Sequence, residues 1–154
     1  MMNVTLSTLL LVEDDPNDVM LFRRAKDKSN LANPLQVVDD GEAALAYLSG
    51  QGIYADRSLY PFPALMLLDL KLPRKSGLEV LEWLRQHPGI HRLPVVVLTS
   101  SKESVDVGRA YDLGANSYLV KPVAFDILLE MVKALGLYWF ILNEKPDIHL
   151  SQGE

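Results

Sequence analysis

The chain contains no cysteine. Disulfides and thiolate metal sites are excluded, and the composition suits a reducing cytosol, so a cytoplasmic location is the expectation. Long apolar runs are missing too. The longest late one, Ala134 to Leu142, falls far short of the roughly 20 residues that span a bilayer, and no membrane association is expected. The first residues, Met1-Met2-Asn3-Val4-Thr5, lack the basic region of a signal peptide, and the apolar residues behind them are needed for a strand. Positive charge is the scarcer sign: 15 Lys and Arg face 20 Asp and Glu, a net charge of −5. Without a local basic patch, broad binding to nucleic acid phosphates is not expected. There are no internal repeats and no low-complexity tracts. What is present is a chain of 154 residues, 49% hydrophobic and 23% charged, which suits one domain with a full core.

Five short apolar runs alternate with amphipathic stretches. Leu9-Leu10-Leu11-Val12 ends in Glu13-Asp14-Asp15, and Pro16 follows. Proline fits the first position of a helix, so Asp15 reads as the cap of a helix running to about Lys28. Leu35-Gln36-Val37-Val38 is a second strand, and Asp39-Asp40-Gly41 leads into a short helix with Ala43, Ala44, Tyr47 and Leu48 inward. Ser49 to Pro63, with two glycines and two prolines, reads as a long loop, which is either functional, as such loops often are in compact domains, or a packed surface excursion. Ala64-Leu65-Met66-Leu67-Leu68 ends in Asp69, and five apolar residues without a polar break suit a strand buried on both faces. Ser76 can cap a helix from Gly77 to Gln86. Leu93 to Leu98 is a fourth strand ending in Thr99-Ser100-Ser101. A weak helix containing Gly108 follows to about Leu113. Ser117-Tyr118-Leu119-Val120 is the fifth strand, ending in Lys121-Pro122, and a last helix from about Ala124 can reach Leu142. This alternation predicts an α/β fold: a flavodoxin-like, doubly wound, five-stranded parallel sheet in the order 2-1-3-4-5, with helices on both faces.

In open α/β sheets, ligands bind beyond the carboxyl ends of the strands. A single Asp69 there reads better as a helix cap or an ordinary loop acid than as a site residue. What changes the reading is the company it keeps. Strands one, three, four and five end in Glu13-Asp14, Asp69, Thr99 and Lys121, and the predicted order makes strands one and three neighbours. Three carboxylates in a small site repel one another. A hard divalent cation relieves that, and magnesium favours a few carboxylates together with water and phosphate oxygens. The nest reads as a magnesium site that accepts a phosphoryl group. Thr99 supplies a hydroxyl and Lys121 a positive charge, while Asp69 can act as a nucleophile and form an aspartyl phosphate. Ser100 is small and leaves access. Pro122 could hold the turn after Lys121, a cis bond being one way to do so.

Taken in order, Leu11-Val12-Glu13-Asp14, Leu68-Asp69-Leu70-Lys71-Leu72-Pro73, Ser76-Gly77, Leu98-Thr99-Ser100 and Tyr118-Leu119-Val120-Lys121-Pro122 resemble the receiver domain of two-component response regulators, the CheY-like superfamily. The resemblance implies a phosphoacceptor at Asp69 and a sensor histidine kinase as donor. Asp14 would ligate magnesium directly, Glu13 largely through water, and the backbone carbonyl of Lys71 would complete the protein ligands. Thr99 and Lys121 would hold phosphoryl oxygens. Tyr118 would be the aromatic that changes orientation with Thr99 on activation. Glu13 departs from the Asp more common at its position, and Lys71 puts a cation two residues past the acceptor. The long loop and the extended end, Lys133 to Phe140, resemble the small stand-alone regulators of cyanobacterial phytochrome kinases. The expected organisation is a single receiver domain over 1–142 and a polar tail over 143–154, with no DNA-binding output domain.

Rival readings are weaker. A haloacid-dehalogenase-type phosphatase needs a second Asp two residues past the nucleophile, where Lys71 stands. A flavodoxin-like carrier needs a hydroxyl-rich phosphate loop after the first strand, where Glu13-Asp14-Asp15 would repel a flavin phosphate. A receiver-like interaction scaffold that is never phosphorylated remains the alternative to the signalling reading. His87 and His91 are separated by Pro88-Gly89, which breaks any shared helical face, and Trp83 reads as packing. In the last helix Phe125, Leu128, Leu129, Val132 and Leu135 form a core-facing stripe. Ile127, Met131 and Tyr138 form a second, with Trp139 to Leu142 just beyond. Either the extended end folds back on its own domain, or the second stripe makes a homodimer through the fourth and fifth helices and the fifth strand, and the homodimer is the expectation.

Overall fold

The computed structural model describes residues 6–150. Five parallel strands, β1 (Leu9–Val12), β2 (Leu35–Val38), β3 (Leu65–Leu68), β4 (Val95–Thr99) and β5 (Ser117–Val120), form one sheet in the order β2-β1-β3-β4-β5. The helices are α1 (Pro16–Lys28), α2 (Gly41–Ser49), α3 (Gly77–Arg85), α4 (Ser104–Asp112) and α5 (Phe125–Gly136). The sheet order and the parallel pairing are those expected from the alternation of runs. β1, β3 and β4 are buried along their whole length, which is why they read as unbroken apolar runs rather than as alternating ones. The pleat divides their side chains. Leu10, Val12, Met66, Leu68, Val95 and Val97 face α2, α3 and α4. Leu9, Leu11, Leu65, Leu67, Val96 and Leu98 face α1 and α5.

Local chemistry sets where the helices begin. Asp15 accepts from the Asn17 N–H at 2.9 Å and Pro16 opens α1. Asp40 caps α2 through the Ala43 N–H at 2.7 Å. Ser76 and Glu79 cap α3 reciprocally. No peptide bond among the described residues is cis. The turn at Lys121-Pro122 is therefore trans, held by the Lys121 N–H donating to the Thr99 carbonyl at 2.8 Å.

The long loop is a packed excursion with a short 3-10 turn at Gly52–Ala55. Tyr47 of α2 donates its hydroxyl to the Pro61 carbonyl at 2.8 Å, and its ring lies 5.0 Å from Tyr54 and 6.1 Å from Tyr60. Arg57 donates to the carbonyls of Tyr47 and Leu48 at 2.8 and 3.1 Å, placing a cation on the negative end of α2. Tyr47→Phe is expected to cost about 1 kcal/mol, the worth of one buried hydrogen bond, read as a lower urea midpoint at neutral pH. Burial also pushes the Tyr47 phenol from its ordinary value near 10 up to about 12. The unfolded chain then ionises first, so wild-type stability should fall between those two pH values, and the Phe variant should lose less over the same window.

α5 does not stop at Gly136 but widens into a π-helical turn over Leu137–Leu142. Its faces differ in part from the expected stripes. Val132 and Leu135 are buried, and Met131 packs with Phe125 and Leu128 on the α1/α5 side of the sheet. Met131 therefore belongs to the core-facing set, and only Ile127 and Tyr138 of the second stripe stand half-exposed. Beyond the π turn the chain runs back under the sheet, where the His149 N–H donates to the Gly89 carbonyl at 2.8 Å and Ile148 packs on the α2/α3 core. Among the described residues no helix is long and apolar enough to cross a membrane.

Candidate functional site

The carboxyl ends of β1, β3, β4 and β5 meet at one edge, and each contributes chemistry. Asp69 follows β3 and is almost completely buried. Its Oδ1 accepts from the Thr99 hydroxyl at 2.8 Å and from the Lys71 N–H at 3.3 Å. Its Oδ2 lies 2.9 Å from the Lys121 ammonium. Glu13, buried at the end of β1, places Oε1 2.6 Å from the same ammonium, while its Oε2 accepts from the Asp15 N–H at 3.1 Å. Burial raises the Glu13 carboxyl to about 7, against the pull of Lys121 and the Asp15 N–H; the Asp69 charge adds to the rise. For Lys121, burial works to depress the ammonium, but hydrogen bonds to Asp18, Glu13 and Asp69 outweigh it and hold its affinity for the proton above the ordinary lysine range.

Glycine shapes the loop that carries the acceptor. A Cβ on Gly77 would lie 2.1 Å from the Asp69 carbonyl oxygen, and one on Gly41 would lie 2.0 Å from that of Lys75. The segment Asp69–Gly77 is thereby drawn against α2 and its own helix, with the Gly41 N–H donating to Pro73 at 3.3 Å and Arg74 paired to Asp40 at 3.0 Å.

Glu13, Asp14 and Asp69 each present a carboxylate oxygen within 4.8 Å of the others. Two are buried and Asp14 is exposed. An all-oxygen set opening to solvent on one side suits a hard divalent cation that keeps several waters. Glu13 and Asp69, now bound to an internal ammonium, would be the residues to turn toward it with Asp14. If so, Asp14→Ala should weaken divalent binding by at least about a hundredfold, beyond the loss typical of removing a residue that only supports a ligand. Calorimetry with magnesium reads this directly, and equal affinities would remove Asp14 from the site.

The remaining expected residues take these places. Tyr118 lies two residues before the end of β5, and its hydroxyl donates to the Ser101 carbonyl at 2.9 Å. Ser101 in turn bonds Asp106 of α4 at 2.5 Å. The Lys71 side chain is exposed. Two participants were not foreseen. Asp18 of α1 pairs with Lys121 at 2.7 Å, and Ser101 links Tyr118 to α4. Asp18 had one readable signal, a first-turn acid on a helix starting at the site edge, but that pattern is also what a helix dipole favours.

A model of the response regulator receiver domain matches residues 9–133. The chain belongs to this family. It is 41% identical over 131 residues to the response regulator Rcp1 of Synechocystis sp., covering 85% of this chain and 87% of that protein. The crystal structure of the phosphorylated cyanobacterial phytochrome response regulator RcpA superposes with a TM-score of 0.85 at 36% identity, over 92% of this chain and 99% of that one. The Mn(2+)-bound form of Rcp1 superposes at 0.81 with 39% identity, over 91% of this chain and 99% of that one. This receiver is thus a signalling protein of the response-regulator kind, similar over nearly its whole length to phytochrome response regulators.

Proposed function

We propose that this receiver accepts a phosphoryl group on Asp69 from a sensor histidine kinase of the phytochrome kind, in a magnesium-dependent reaction in the cytoplasm. One observation carries the reading: a buried carboxylate at a strand end lies within hydrogen-bond reach of both a hydroxyl and an ammonium, Thr99 and Lys121. In the reaction an Asp69 oxygen attacks phosphorus. The O–P bond forms as the P–N bond to the donor histidine breaks, and the imidazole leaves with the bonding pair. The Thr99 hydroxyl and Lys121 ammonium, which now hold the two Asp69 oxygens, would pass to phosphoryl oxygens. A bound magnesium ion would offset the charge of the transferring group, held by Asp14, Glu13, Asp69 and the Lys71 backbone carbonyl. Movement of Thr99 toward the phosphoryl group would free space beside β4 and bias Tyr118 and its Ser101 contact, the switch in this reading.

The test is intact-mass spectrometry of wild type with acetyl phosphate, in magnesium and in chelator. One added phosphoryl group per chain, in magnesium only, is expected. No uptake in magnesium would return the chain to the scaffold reading.

The same proposal includes a two-fold dimer through α4, β5 and α5. Val105, Tyr111 and Ile127 are exposed there, between 49% and 65%. Because Met131 packs on the core, Ile127→Glu is the better probe: it places charge on that face without opening the interior. Light scattering across a concentration series should show wild-type dimers, favoured by phosphodonor, and an Ile127→Glu monomer. Phosphorylation shifts this equilibrium only by stabilising the two states unequally. A wild type that is monomeric throughout, with and without phosphodonor, would remove the dimer.

A further inference from the structure

Lys121 is held by three carboxylates from three elements: Glu13 at 2.6 Å, Asp18 at 2.7 Å and Asp69 at 2.9 Å. An ammonium has three N–H groups, and here each has a partner. The partners are not equivalent. Glu13 and Asp69 belong, with Asp14, to the cluster that can gather a divalent cation, and Asp18 does not. Glu13 and Asp69 have nearly inaccessible side chains, whereas that of Asp18 is 35% exposed. Asp18 is therefore the solvent-side wall of the lysine. Its backbone is anchored at both ends of the turn: it sits in the first turn of α1, whose start is set by the Asp15 cap and Pro16, and α1 packs on the sheet through Phe22 and Ala25.

This asymmetry has a consequence if the phosphorylation reading above holds, on which the inference rests. A cation competes with Lys121 for Glu13. A phosphoryl group on Asp69 removes the negative charge of that carboxylate. Two of the three anchors are then lost or altered, and an unanchored four-carbon side chain has many rotamers open to it.

We propose that Asp18 is the positioning residue for Lys121. It keeps one N–H of the ammonium throughout, and so fixes where the other two meet the phosphoryl oxygens. Its negative charge also lies on the solvent side of the ammonium, where it would repel an anionic donor arriving from that side. Anchoring and repulsion predict opposite kinetic signatures, which makes them separable.

The first measurement needs no phosphorylation. Protein labelled with 15N-lysine is titrated with magnesium alone, and the Lys121 ammonium resonance is identified by its loss in Lys121→Arg. In wild type the resonance should persist, in slow exchange with water, at saturating magnesium. In Asp18→Asn it should broaden into solvent exchange, and Asp18→Glu should restore it in part. Equal persistence in wild type and Asp18→Asn overturns the proposal. The second measurement is the rate of phosphorylation by acetyl phosphate at saturating magnesium. Loss of the anchor should lower the maximal rate of Asp18→Asn by about ten- to a hundredfold, the scale on which misplacing a reacting group by around 1 Å acts. The half-saturating donor concentration and the magnesium affinity should stay within about twofold, because neither ground-state site has lost a ligand. A lower half-saturating concentration at an unchanged maximal rate would overturn anchoring and leave Asp18 as a repelling charge. If wild type takes up no phosphoryl group at all, the phosphorylation reading fails, and the ammonium resonance still decides the role of Asp18.

Discussion

Asp69→Asn is expected to fold as wild type does and to take up no phosphoryl group. The amide matches the carboxylate in shape, so its oxygen can still accept from Thr99, now at 2.8 Å. Lys121 loses one anionic partner but keeps Glu13 and Asp18 at 2.6 and 2.7 Å, so no buried charge is left unpaired. Unpaired buried charge is what makes breaking such networks severe. The chemistry has no such reserve, because an amide oxygen is neither an anion nor a useful nucleophile. Intact mass after incubation with magnesium and acetyl phosphate should show one phosphoryl group on wild type and none on the variant. A variant that gained a stable group at wild-type stoichiometry would move the acceptor elsewhere in the chain.

The largest effect on stability is expected at Arg85, the last residue of α3. Its guanidinium donates to the carbonyls of His91 and Leu93, both at 2.7 Å, and twice to that of Gly114 at 2.7 and 3.0 Å. It also reaches Asn116 Oδ1 at 3.0 Å, the same oxygen that accepts from the Val95 N–H at 2.8 Å. One side chain thus ties the end of α3 to the start of β4 and to the turn that delivers β5, the strand that carries Tyr118 and leads to Lys121. Arg85→Met keeps most of the apolar stem and removes every donor. Two half-buried carbonyls, those of Leu93 and Gly114, lose partners at once, at a cost of about 3 kcal/mol. For a chain of this size that lowers the melting temperature by roughly 6–12 °C. Arg85→Lys should recover only part of the loss, since an ammonium lacks the planar fork that serves divergent acceptors. A melting temperature for Arg85→Met within a degree or so of wild type would show that these bonds merely replace equivalent ones to water.

The sheet order was legible because β1, β3 and β4 are covered on both faces and must be apolar at every position, while right-handed crossovers leave few ways to join them. The helix starts at Pro16, Gly41 and Gly77 were legible because caps act within a few residues. The same locality limits the reading of α5. Helical spacing separates two apolar stripes but does not say which of two nearby positions, Leu129 or Met131, turns to the sheet; here it is Met131 that packs on the core. That depends on how the helix rolls on α1 and β5. The loop between α2 and β3 is a similar case. Its composition marks irregular backbone, but Arg57 on the end of α2 and the Tyr47, Tyr54 and Tyr60 rings are contacts that no local pattern encodes.

At the site the division is sharper. That Glu13, Asp14, Asp69, Thr99 and Lys121 share one edge follows from the chain alone, because parallel strands bring all their carboxyl ends to the same side. The partnerships among them do not. Lys121 and Asp18 are 103 positions apart and lie on different elements, and each alone has an ordinary local explanation, a cation after a strand and an acid in a helix's first turn. Only the packing of α1 against α5 at this edge of the sheet brings them within 2.7 Å. Burial of Glu13 and Asp69 in that packing then lets a single ammonium bind three carboxylates that would repel one another without it.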